Sequence, residues 1–251
     1  MINILISGAL GRMGKKVYEA SLNANGSVKV VAGVDVKECV ENTFPIYSSI
    51  KDVKEKIDVI IDFSSPSSLD NILAYSLEKG VPAVLCATGY KDEDIEKINQ
   101  TSQKVALFRS GNMSLGVNVL IDLVKKAASA LYGFDVEIIE QHHNQKVDAP
   151  SGTALMLADA VKSVQSEKHY TYGRQGIVGK RDENEIGIHA IRGGNIVGVH
   201  DVMFAGNFET IKISHQATDR SVFAEGAIKA ALYLVNKKTG LYNMNDVINQ
   251  K

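Results

Sequence analysis

Three glycines at a spacing of three residues constrain the fold of this chain more than any other feature of its sequence. An apolar run ends at Gly8, and Gly11 and Gly14 then open a helical pattern. In a nucleotide-binding βα unit, the first glycine makes the tight turn, the second admits a pyrophosphate and the third lets helix and strand pack closely. The segment therefore predicts a Rossmann-type unit with an anion site at the start of its helix.

A second strand pattern over residues 28–34 ends at an acidic residue, Asp35. Asp35 follows Gly14 by roughly the 20 residues that usually separate the third glycine from the acid that binds the ribose hydroxyls. The alternative is an ordinary turn residue at the end of a strand. The spacing favours the ribose role.

Strand and helix patterns continue to alternate along the first half of the chain. Buried-type strand patterns lie at 57–63, 81–86 and 105–108, and helical patterns at 69–79 and 92–103 separate them. This rhythm predicts a parallel sheet covered on both faces. Ligands of such sheets bind at the carboxyl ends of the strands. We expect one edge to collect the loops that begin at Gly8, Asp35, Phe63, Cys86 and Arg109.

The pattern changes after a long apolar helix over 117–132. Residues 186–218 alternate between apolar and polar side chains, with glycine-asparagine turns between the runs. This predicts an antiparallel meander, whose open face and edges commonly pack against a partner subunit. A final amphipathic helix over 221–236 and the tail after it return to the first sheet.

These patterns predict an α/β chain of two domains. The first is a Rossmann-type parallel-sheet domain that binds a dinucleotide and comprises 1–114 and 220–251. The second, 115–219, is a smaller α+β domain with a mostly antiparallel open sheet for substrate binding and oligomerisation. Within it, the polar and irregular segment 167–184 is either a flexible cover or interface arm, or a disordered connection.

Composition limits the classes of partner. A formal net charge of −1 and a pI near 6.6 give no overall field for nucleic acid or an anionic membrane. Two cysteines without CxxC spacing fit a reducing compartment better than a disulfide framework or a zinc ribbon. Without an apolar run near spanning length, we expect a cytoplasmic protein with neither nucleic-acid nor membrane partners.

The densest group of chemical side chains follows a half-buried strand pattern that begins at residue 135. His142, His143 and Lys146 add positive charge to a loop that leads into a helix. Ser151 is placed as the N-cap, so the first N–H groups of the helix, at Gly152 and Thr153, can bind an anion. The plainer reading is a capped strand–turn–helix with solvated histidines, and the grouping of these residues favours a site.

A metal centre fits this stretch less well. Neighbouring side chains of a strand point to opposite faces, so His142 and His143 do not chelate one ion without a bend. No cysteine or carboxylate completes a ligand set at familiar spacing. We therefore expect no metal.

The stretch EIIEQHHNQKVDAPSGTA at 137–154 resembles the signature of the 4-hydroxy-tetrahydrodipicolinate reductase (dihydrodipicolinate reductase) family. Other segments resemble the family in order along the whole chain: GALGRMG, DFSSP, ATGY, SGNMSLGVN, RGGNIVGVHDVMF and RSVFAEGAIKAALYL. The resemblance implies reduction of a cyclic imine dicarboxylate to tetrahydrodipicolinate, by hydride transfer from NADH or NADPH, in the diaminopimelate route to lysine. It also implies a homotetramer formed through the sheet of the second domain.

The resemblance also implies roles for individual residues. His142 matches the proton donor and Lys146 the second catalytic group. The substrate contacts are matched by His143, Gly152 and Thr153, and we add the N-cap Ser151. The cofactor-binding residues are expected in four groups: Gly8, Ala9, Leu10, Gly11, Arg12 and Met13 at the pyrophosphate turn; Asp35 at the ribose; Cys86, Ala87 and Thr88; and Ser110, Gly111, Asn112 and Met113 near the nicotinamide.

Two departures from the family pattern bear on the cofactor. Some members carry an arginine after the ribose acid, where this chain has Val36. Asp35 without that arginine favours NADH because the carboxylate repels a 2′-phosphate, while Lys37 leaves NADPH open. Cys86 and Ala87 replace the usual Gly-Thr, which removes a hydroxyl contact but keeps the backbone.

Two other functions remain open from the residues alone. One is a nucleotide-sensing protein that keeps the Rossmann domain and has lost catalysis. The other is a different two-domain dehydrogenase that acts on an aldehyde or a keto acid. Oxidation of NADH in the presence of the imine, and a panel of substrates, would separate these hypotheses.

Overall fold

The computed structural model describes residues 1–36 and 43–249. Lys37, the residue because of which NADPH remained a possible cofactor, lies outside the described residues. Within the described parts, none of the helices combines the length and apolar character that crossing a membrane requires.

The strands, in chain order, are β1 (Ile2–Ser7), β2 (Val28–Val34), β3 (Ile46–Tyr47), β4 (Val59–Asp62), β5 (Ala83–Leu85), β6 (Ala106–Arg109), β7 (Asp135–His142), β8 (His169–Tyr172), β9 (Glu185–Arg192), β10 (Gly198–Ala205), β11 (Thr210–Ala217) and β12 (Gly240–Tyr242). The α-helices are α1 (Arg12–Leu22), α2 (Leu69–Lys79), α3 (Asp92–Ser102), α4 (Leu115–Ala130), α5 (Gly152–Lys162), α6 (Ser221–Leu234) and α7 (Met244–Ile248). Two short 3₁₀ turns lie at Ile50–Asp52 and Pro66–Ser68.

The chain divides into two compact units, each described here by itself. The first comprises Met1–Leu115 with Arg220–Lys251, and the second comprises Gly116–Asp219. The functions expected of the two domains stay predictions.

The described residues of the first unit form a seven-stranded sheet in the order β12-β6-β5-β4-β1-β2-β3. Its pairings are parallel throughout, as the βα rhythm predicts. The predicted return of the C-terminal tail is confirmed, because β12 pairs with β6. The two-residue strand β3 was not predicted, since it has no apolar run of its own.

Alternating side chains fill a core on each face of this sheet. Ile4 and Ile61 pack with α1, α6 and α7 on one face, while Leu5 and Ile60 pack with α2 and α3 on the other. All four are fully buried, and each contributes roughly 1.5–3 kcal/mol by leaving water. The sheet is thus a fixed platform for the loops at its edge.

The strand order reverses direction at β1, which lies between β2 and β4. Such a switch point opens a crevice outside the carboxyl ends of the strands. The loops that begin at Gly8, Asp35 and Phe63 follow these three strands. The sheet order therefore brings the glycine turn and Asp35 to one crevice.

The second unit contains a five-stranded sheet among the described residues, in the order β11-β10-β7-β9-β8. One face is covered by α4 and α5, which form a buried core with Val136, Ile138, Ile188, Val202 and Phe204. Two of the strand pairings are antiparallel and two are parallel, so the sheet is mixed.

The prediction of a meander over 186–218 is right for β10 and β11 and wrong for β9. β7 lies between β9 and β10 and pairs with both. The turn after β9 does not fold back as a hairpin; its Gly193 N–H donates to the His142 carbonyl at 2.9 Å, and Asn144 N–H donates to the Gly194 carbonyl at 3.2 Å. Alternation shows which face of a strand is buried but does not identify the neighbouring strand.

The segment 167–184 is more regular than its polar composition suggested. Its residues His169–Tyr172 form the edge strand β8, parallel to β9. Farther along, Arg174 and Arg181 form ion pairs with Glu137 and Glu185. These contacts attach the segment to the sheet and oppose the reading of a disordered connection.

Candidate functional site

The glycine turn of the first unit is shaped by close backbone contacts. Gly8 has a φ of 78°, and a Cβ on it would lie 2.9 Å from the Phe63 carbonyl oxygen. A Cβ on Gly14 would lie 2.2 Å from the Gly8 carbonyl oxygen. Both positions therefore exclude larger residues.

The first turn of α1 suits an anion. Gly11 is the N-cap and has no side chain with which to cap the helix. The first four residues of the helix, RMGK, include no acid and two basic side chains. The initial N–H groups of a helix lack intrahelical partners and carry partial positive charge. A pyrophosphate fits this helix start.

Asp35 is tied to the same turn. Its Oδ2 accepts a hydrogen bond from the Leu10 N–H at 2.9 Å, and its Oδ1 accepts one from the Val36 N–H at 2.8 Å. Each carboxylate oxygen keeps a second lone pair, so the acid can still accept hydrogen bonds from ribose hydroxyls. Asp35 therefore orients the turn as well as facing the crevice.

Two cavities in the first unit account for most of the expected cofactor residues. A cavity of about 510 Å³ is lined by Gly8, Gly11 and Asp35, among others. A cavity of about 610 Å³ is lined by nine expected residues: Arg12, Met13, Cys86, Ala87, Thr88, Ser110, Gly111, Asn112 and Met113. Both volumes lie in the range of small-molecule sites.

Ala9 and Leu10 belong to the turn but do not line these two cavities. Ala9 is buried, and a Cβ on Gly33 of β2 would lie 2.7 Å from the Ala9 Cβ. Leu10 contributes its backbone N–H to Asp35. Both residues support the turn.

Four lining residues of the larger cavity were not among the expected contacts. Phe63 and Ser64 line both cavities, and Arg220 and Phe223 line the larger one. Phe63 and Ser64 follow β4 directly, so the strand-end rule identified their loop but not their roles. Arg220 and Phe223 lie at the start of α6, about 100 residues beyond the other lining residues. They belong to the family-like segment RSVFAEGAIKAALYL, but no cofactor role was expected of them.

Cys86 contributes a protonated thiol to the larger cavity. Burial, with a smaller contribution from the Asp62 carboxyl, raises the pKa of the Cys86 thiol well above its ordinary value. Burial also raises the pKa of Asp62, which accepts hydrogen bonds from the Ser64 N–H at 3.0 Å and from the Ser64 hydroxyl. The Cys86 thiol is therefore a neutral group in the wall of the larger cavity and not a nucleophile.

In the second unit, buried and half-buried side chains alternate along β7, and its last residue, His142, is on the buried face. Val136, Ile138, Glu140 and His142 are buried in turn. The His142 ring contacts the His200 ring edge-on, with centroids 5.2 Å apart, and its side chain is 11% exposed. Burial lowers the pKa of His142, and the nearby Glu140 carboxylate offsets this in part.

Glu140 is fully buried and accepts hydrogen bonds from three parts of the second unit. Its Oε2 lies 2.6 Å from His142 Nδ1, its Oε1 accepts from the Ser151 N–H at 2.9 Å, and both oxygens accept from the Arg192 guanidinium at 2.8 Å. Burial acts to raise the pKa of Glu140, but these donors outweigh it and hold the pKa below its ordinary value. Glu140 is thus an ionised acceptor.

Ser151 caps α5 as predicted. Its hydroxyl oxygen accepts from the Ala154 N–H at 3.2 Å and lies 3.0 Å from His200 Nε2. Gly152 is exposed, and a Cβ placed on it meets no described atom within 4 Å. Thr153 is half-buried beside it. The helix start is open to a ligand carboxylate.

Lys146 lies near this start but is engaged within its own loop. Its Nζ forms an ion pair of 2.7 Å with Asp148, which lowers the pKa of that carboxyl. The Lys146 and Arg192 charges both act to lower the pKa of His142. Lys146 and His142 are therefore close enough to interact. His143, half-buried, follows the last residue of β7.

The described residues contain no group of three or more His, Cys, Asp or Glu side chains placed to hold a metal ion. The chemical groups of the second unit are instead an imidazole, an ammonium and the start of a helix. Together these can hold carboxylates and move a proton.

Two family models match the chain almost end to end. The model described as dihydrodipicolinate reductase, N-terminus, matches residues 2–113, and the model described as dihydrodipicolinate reductase, C-terminus, matches residues 116–248.

Individual proteins agree with this assignment. A 4-hydroxy-tetrahydrodipicolinate reductase from Caldanaerobacter subterraneus subsp. tengcongensis is 51% identical, with 99% of this chain and 98% of the relative covered. The protein of the same name from Clostridium tetani is 49% identical, with 99% and 98% covered. Among solved structures, the dipicolinate-bound dihydrodipicolinate reductase from Paenisporosarcina sp. TG-14 has a TM-score of 0.81 at 25% identity, with 98% and 99% of the two chains covered.

Proposed function

The chain belongs to the dihydrodipicolinate reductase family, and from that premise we propose how its own residues carry out the reaction. It is an oxidoreductase that reduces 4-hydroxy-tetrahydrodipicolinate, a cyclic imine dicarboxylate, to tetrahydrodipicolinate in the diaminopimelate route to lysine, and the 4-hydroxyl group leaves as water. A nicotinamide dinucleotide is its cofactor and supplies the hydride when bound. We assign dinucleotide binding to 1–114 with 220–251, and substrate binding to 115–219.

The substrate is held at its two carboxylates. One carboxylate accepts hydrogen bonds at the start of α5, from Gly152 and Thr153, where the Ser151 cap keeps the first turn in place. The other pairs with Lys146, which exchanges Asp148 for the substrate. His143 completes the contacts. Two-point binding of a rigid ring fixes its orientation, which lowers the barrier to hydride transfer.

His142 donates the proton. Loss of the 4-hydroxyl group as water leaves a conjugated cyclic imine, dihydrodipicolinate. Hydride addition to this imine leaves negative charge on the ring, which one proton neutralises. The free protein holds the His142 pKa below its ordinary value, first by burial and then by the Lys146 and Arg192 charges. The two negative charges of the bound substrate offset the Lys146 and Arg192 charges and raise the pKa of His142. Substrate binding therefore favours the protonated imidazole, which then transfers its proton.

The single observation that carries this mechanism is the clustering of His142, Lys146 and the Ser151-capped helix in one unit: Glu140 contacts both His142 and the Ser151 N–H, and the Lys146 N–H donates to the His143 carbonyl at 3.1 Å. It is tested by His142→Gln, which should lower turnover by roughly two to four orders of magnitude while cofactor affinity stays the same. Turnover is followed at the nicotinamide absorbance band, and cofactor affinity is measured by titration. The control is His169→Gln, at an exposed residue of β8. Full turnover in His142→Gln would remove this residue from the mechanism.

We propose NADH as the preferred cofactor. The residue after the ribose acid is Val36, whose side chain is 91% exposed, so no guanidinium follows Asp35 to neutralise a 2′-phosphate. Initial rates with each cofactor at equal concentration test this preference. A rate ratio that favours NADPH would overturn it.

The active form is a cytoplasmic homotetramer assembled through the sheet of the second unit. The face opposite α4 and α5 carries Ile139 and Met203, both half-buried, and Ile191, which is 46% exposed. Such an open face is stabilised by a partner. Light scattering should give four times the chain mass, and Ile191→Lys should reduce that mass. A monomer in solution would contradict the assembly.

A further inference from the structure

The hydrogen bonds around Glu140 decide which nitrogen of His142 carries a proton. The ionised carboxylate is only an acceptor, so the 2.6 Å contact requires a proton on His142 Nδ1. The neutral ring then has its lone pair on Nε2. Glu140 is itself held from the other sides by Ser151 and Arg192, so it cannot turn away from the ring without breaking those bonds.

The other nitrogen of the ring faces a glycine. A Cβ built on Gly198, the first residue of β10, would lie 3.2 Å from His142 Nε2, closer than ordinary van der Waals contact. The neighbouring His200 does not use this nitrogen: its own Nε2 lies 3.0 Å from the Ser151 hydroxyl, and its Nδ1 makes no hydrogen bond to a described atom. The missing side chain of Gly198 leaves room beside Nε2.

We propose that Glu140 and Gly198 are positioning residues for the proton that His142 delivers. Glu140 keeps Nδ1 protonated, so that the transferable proton is always on Nε2, and Gly198 keeps Nε2 uncovered. This inference rests on the proposed role of His142 as the proton donor. Neither residue touches the substrate in this scheme, and each acts through the imidazole.

Four charged or titratable groups face the His142 ring from the elements packed around it. Glu140 is on the same strand, Lys146 is in the following loop, Arg192 ends β9 and His200 is in β10. Glu140 acts to raise the pKa of His142, while Arg192 and Lys146 act to lower it. Removing Glu140 should therefore lower the pKa of His142, and removing Arg192 should raise it.

These opposite shifts distinguish positioning from a merely structural role. The His142 imidazole is followed by ¹⁵N NMR in the full-length protein, with His142→Gln used to assign its signal. We expect the Nδ1–H tautomer in the unaltered protein, a lower pKa in Glu140→Gln and a higher pKa in Arg192→Gln. Turnover in Glu140→Gln should fall by roughly ten- to a hundredfold, part of what a positioned proton donor contributes.

Glu137→Gln is the matched control. Glu137 lies on the same strand and is also paired with arginine, here Arg174 and Arg181, but its histidine partner is His189. Its replacement should disturb stability to a similar degree and leave the His142 titration unchanged. An equal shift in Glu137→Gln and Glu140→Gln would overturn the inference.

Gly198→Ala tests whether an uncovered His142 Nε2 is needed for turnover. We expect turnover to fall by roughly tenfold while the Nδ1–H tautomer is retained, since alanine is an ordinary strand residue and only Nε2 is crowded. Unchanged turnover would remove Gly198 from the proposal. If Glu140→Gln does not fold, Arg192→Gln decides, because an unchanged or lowered His142 pKa there contradicts the scheme.

The NMR result is independent of the proposed function. Full turnover in His142→Gln would end the role of His142 as donor, whatever its tautomer. An Nε2–H tautomer in the unaltered protein would end the inference about Glu140, even if His142 proved essential.

Discussion

The backbone N–H of Leu10 donates a 2.9 Å hydrogen bond to the carboxylate of Asp35, across 25 residues of sequence. The acid expected to bind ribose therefore also holds the glycine turn against the end of β2. Replacements at this position should separate two effects, namely the loss of the charge and the loss of the anchor.

Asp35→Asn should weaken the preference for NADH. Asparagine keeps an oxygen for the Leu10 N–H and removes the charge that repels a 2′-phosphate. We expect the NADH to NADPH ratio of kcat/KM to fall by roughly tenfold, or ~1.4 kcal/mol. Asp35→Ala should lose affinity for both cofactors because the anchor is also gone. An unchanged ratio in Asp35→Asn would mean that the charge does not select the cofactor.

Gly14→Ala should destabilise the first unit. Alanine usually stabilises a helix relative to glycine by about 1 kcal/mol, but a Cβ here would lie 2.2 Å from the Gly8 carbonyl oxygen. We expect a loss of about 1–3 kcal/mol in the free energy of unfolding, measured with urea, and loss of cofactor binding. Gly11→Ala, where the closest atom is at 3.2 Å, should keep the fold and weaken only cofactor binding. Equal stability of the two variants would contradict the packing explanation.

Lys146→Ala should raise the KM for the imine and lower kcat. A hydrogen bond to a charged group is worth about 1.5–3 kcal/mol, which corresponds to roughly a 10- to 150-fold loss in kcat/KM. Asp148→Asn is the informative partner variant. It removes the carboxylate that holds Lys146 at 2.7 Å, so it should lower the KM for the substrate. A higher KM in Asp148→Asn would show that the ion pair positions Lys146 instead of competing with substrate.

Stability should fall as the pH decreases from 6.5 to about 4. Burial lowers the pKa of His200 to about 4 from an ordinary value of 6.5. Between these values the unfolded chain binds a proton that the folded chain does not, so the free energy of unfolding decreases as the pH decreases.

The check is urea unfolding at several pH values. His200→Gln should reduce the slope of the free energy of unfolding against pH in this window, although His142 and His215, whose pKa values are also lowered by burial, keep part of it. His169→Gln, at an exposed ring, should leave the slope as it was. The same slope in both variants would assign the effect to other groups.

Much of the first sheet could be predicted from the sequence because each parallel strand is buried on both faces. Runs such as residues 57–63 carry an unmistakable apolar signal, and the strand-end rule then places Gly8, Asp35 and Cys86 at one edge. β3 was not predicted because a strand of two residues is too short to show a periodic pattern. The positions of Arg220 and Phe223 in the cavity wall were also not predicted, since only the tertiary fold brings α6 to the cavity.

The second sheet was harder because its neighbours are not consecutive strands. The glycine-asparagine turns correctly marked strand ends, and the turn between β10 and β11 is a hairpin, but β9 pairs with β7. Glu140 is an acidic residue whose burial was not predicted. Its burial depends on Arg192, 52 residues away, and no local pattern reveals such a partner.

The first unit is discontinuous, and this has a consequence for synthesis. Its core includes Ala227, Ala231 and Leu234 of α6, and its sheet ends with β12. A nascent chain that has reached residue 219 already holds every described strand of the mixed sheet, while the parallel sheet still lacks its last strand and α6. Synthesis on the ribosome therefore completes the second unit before the first, although the first unit begins the chain.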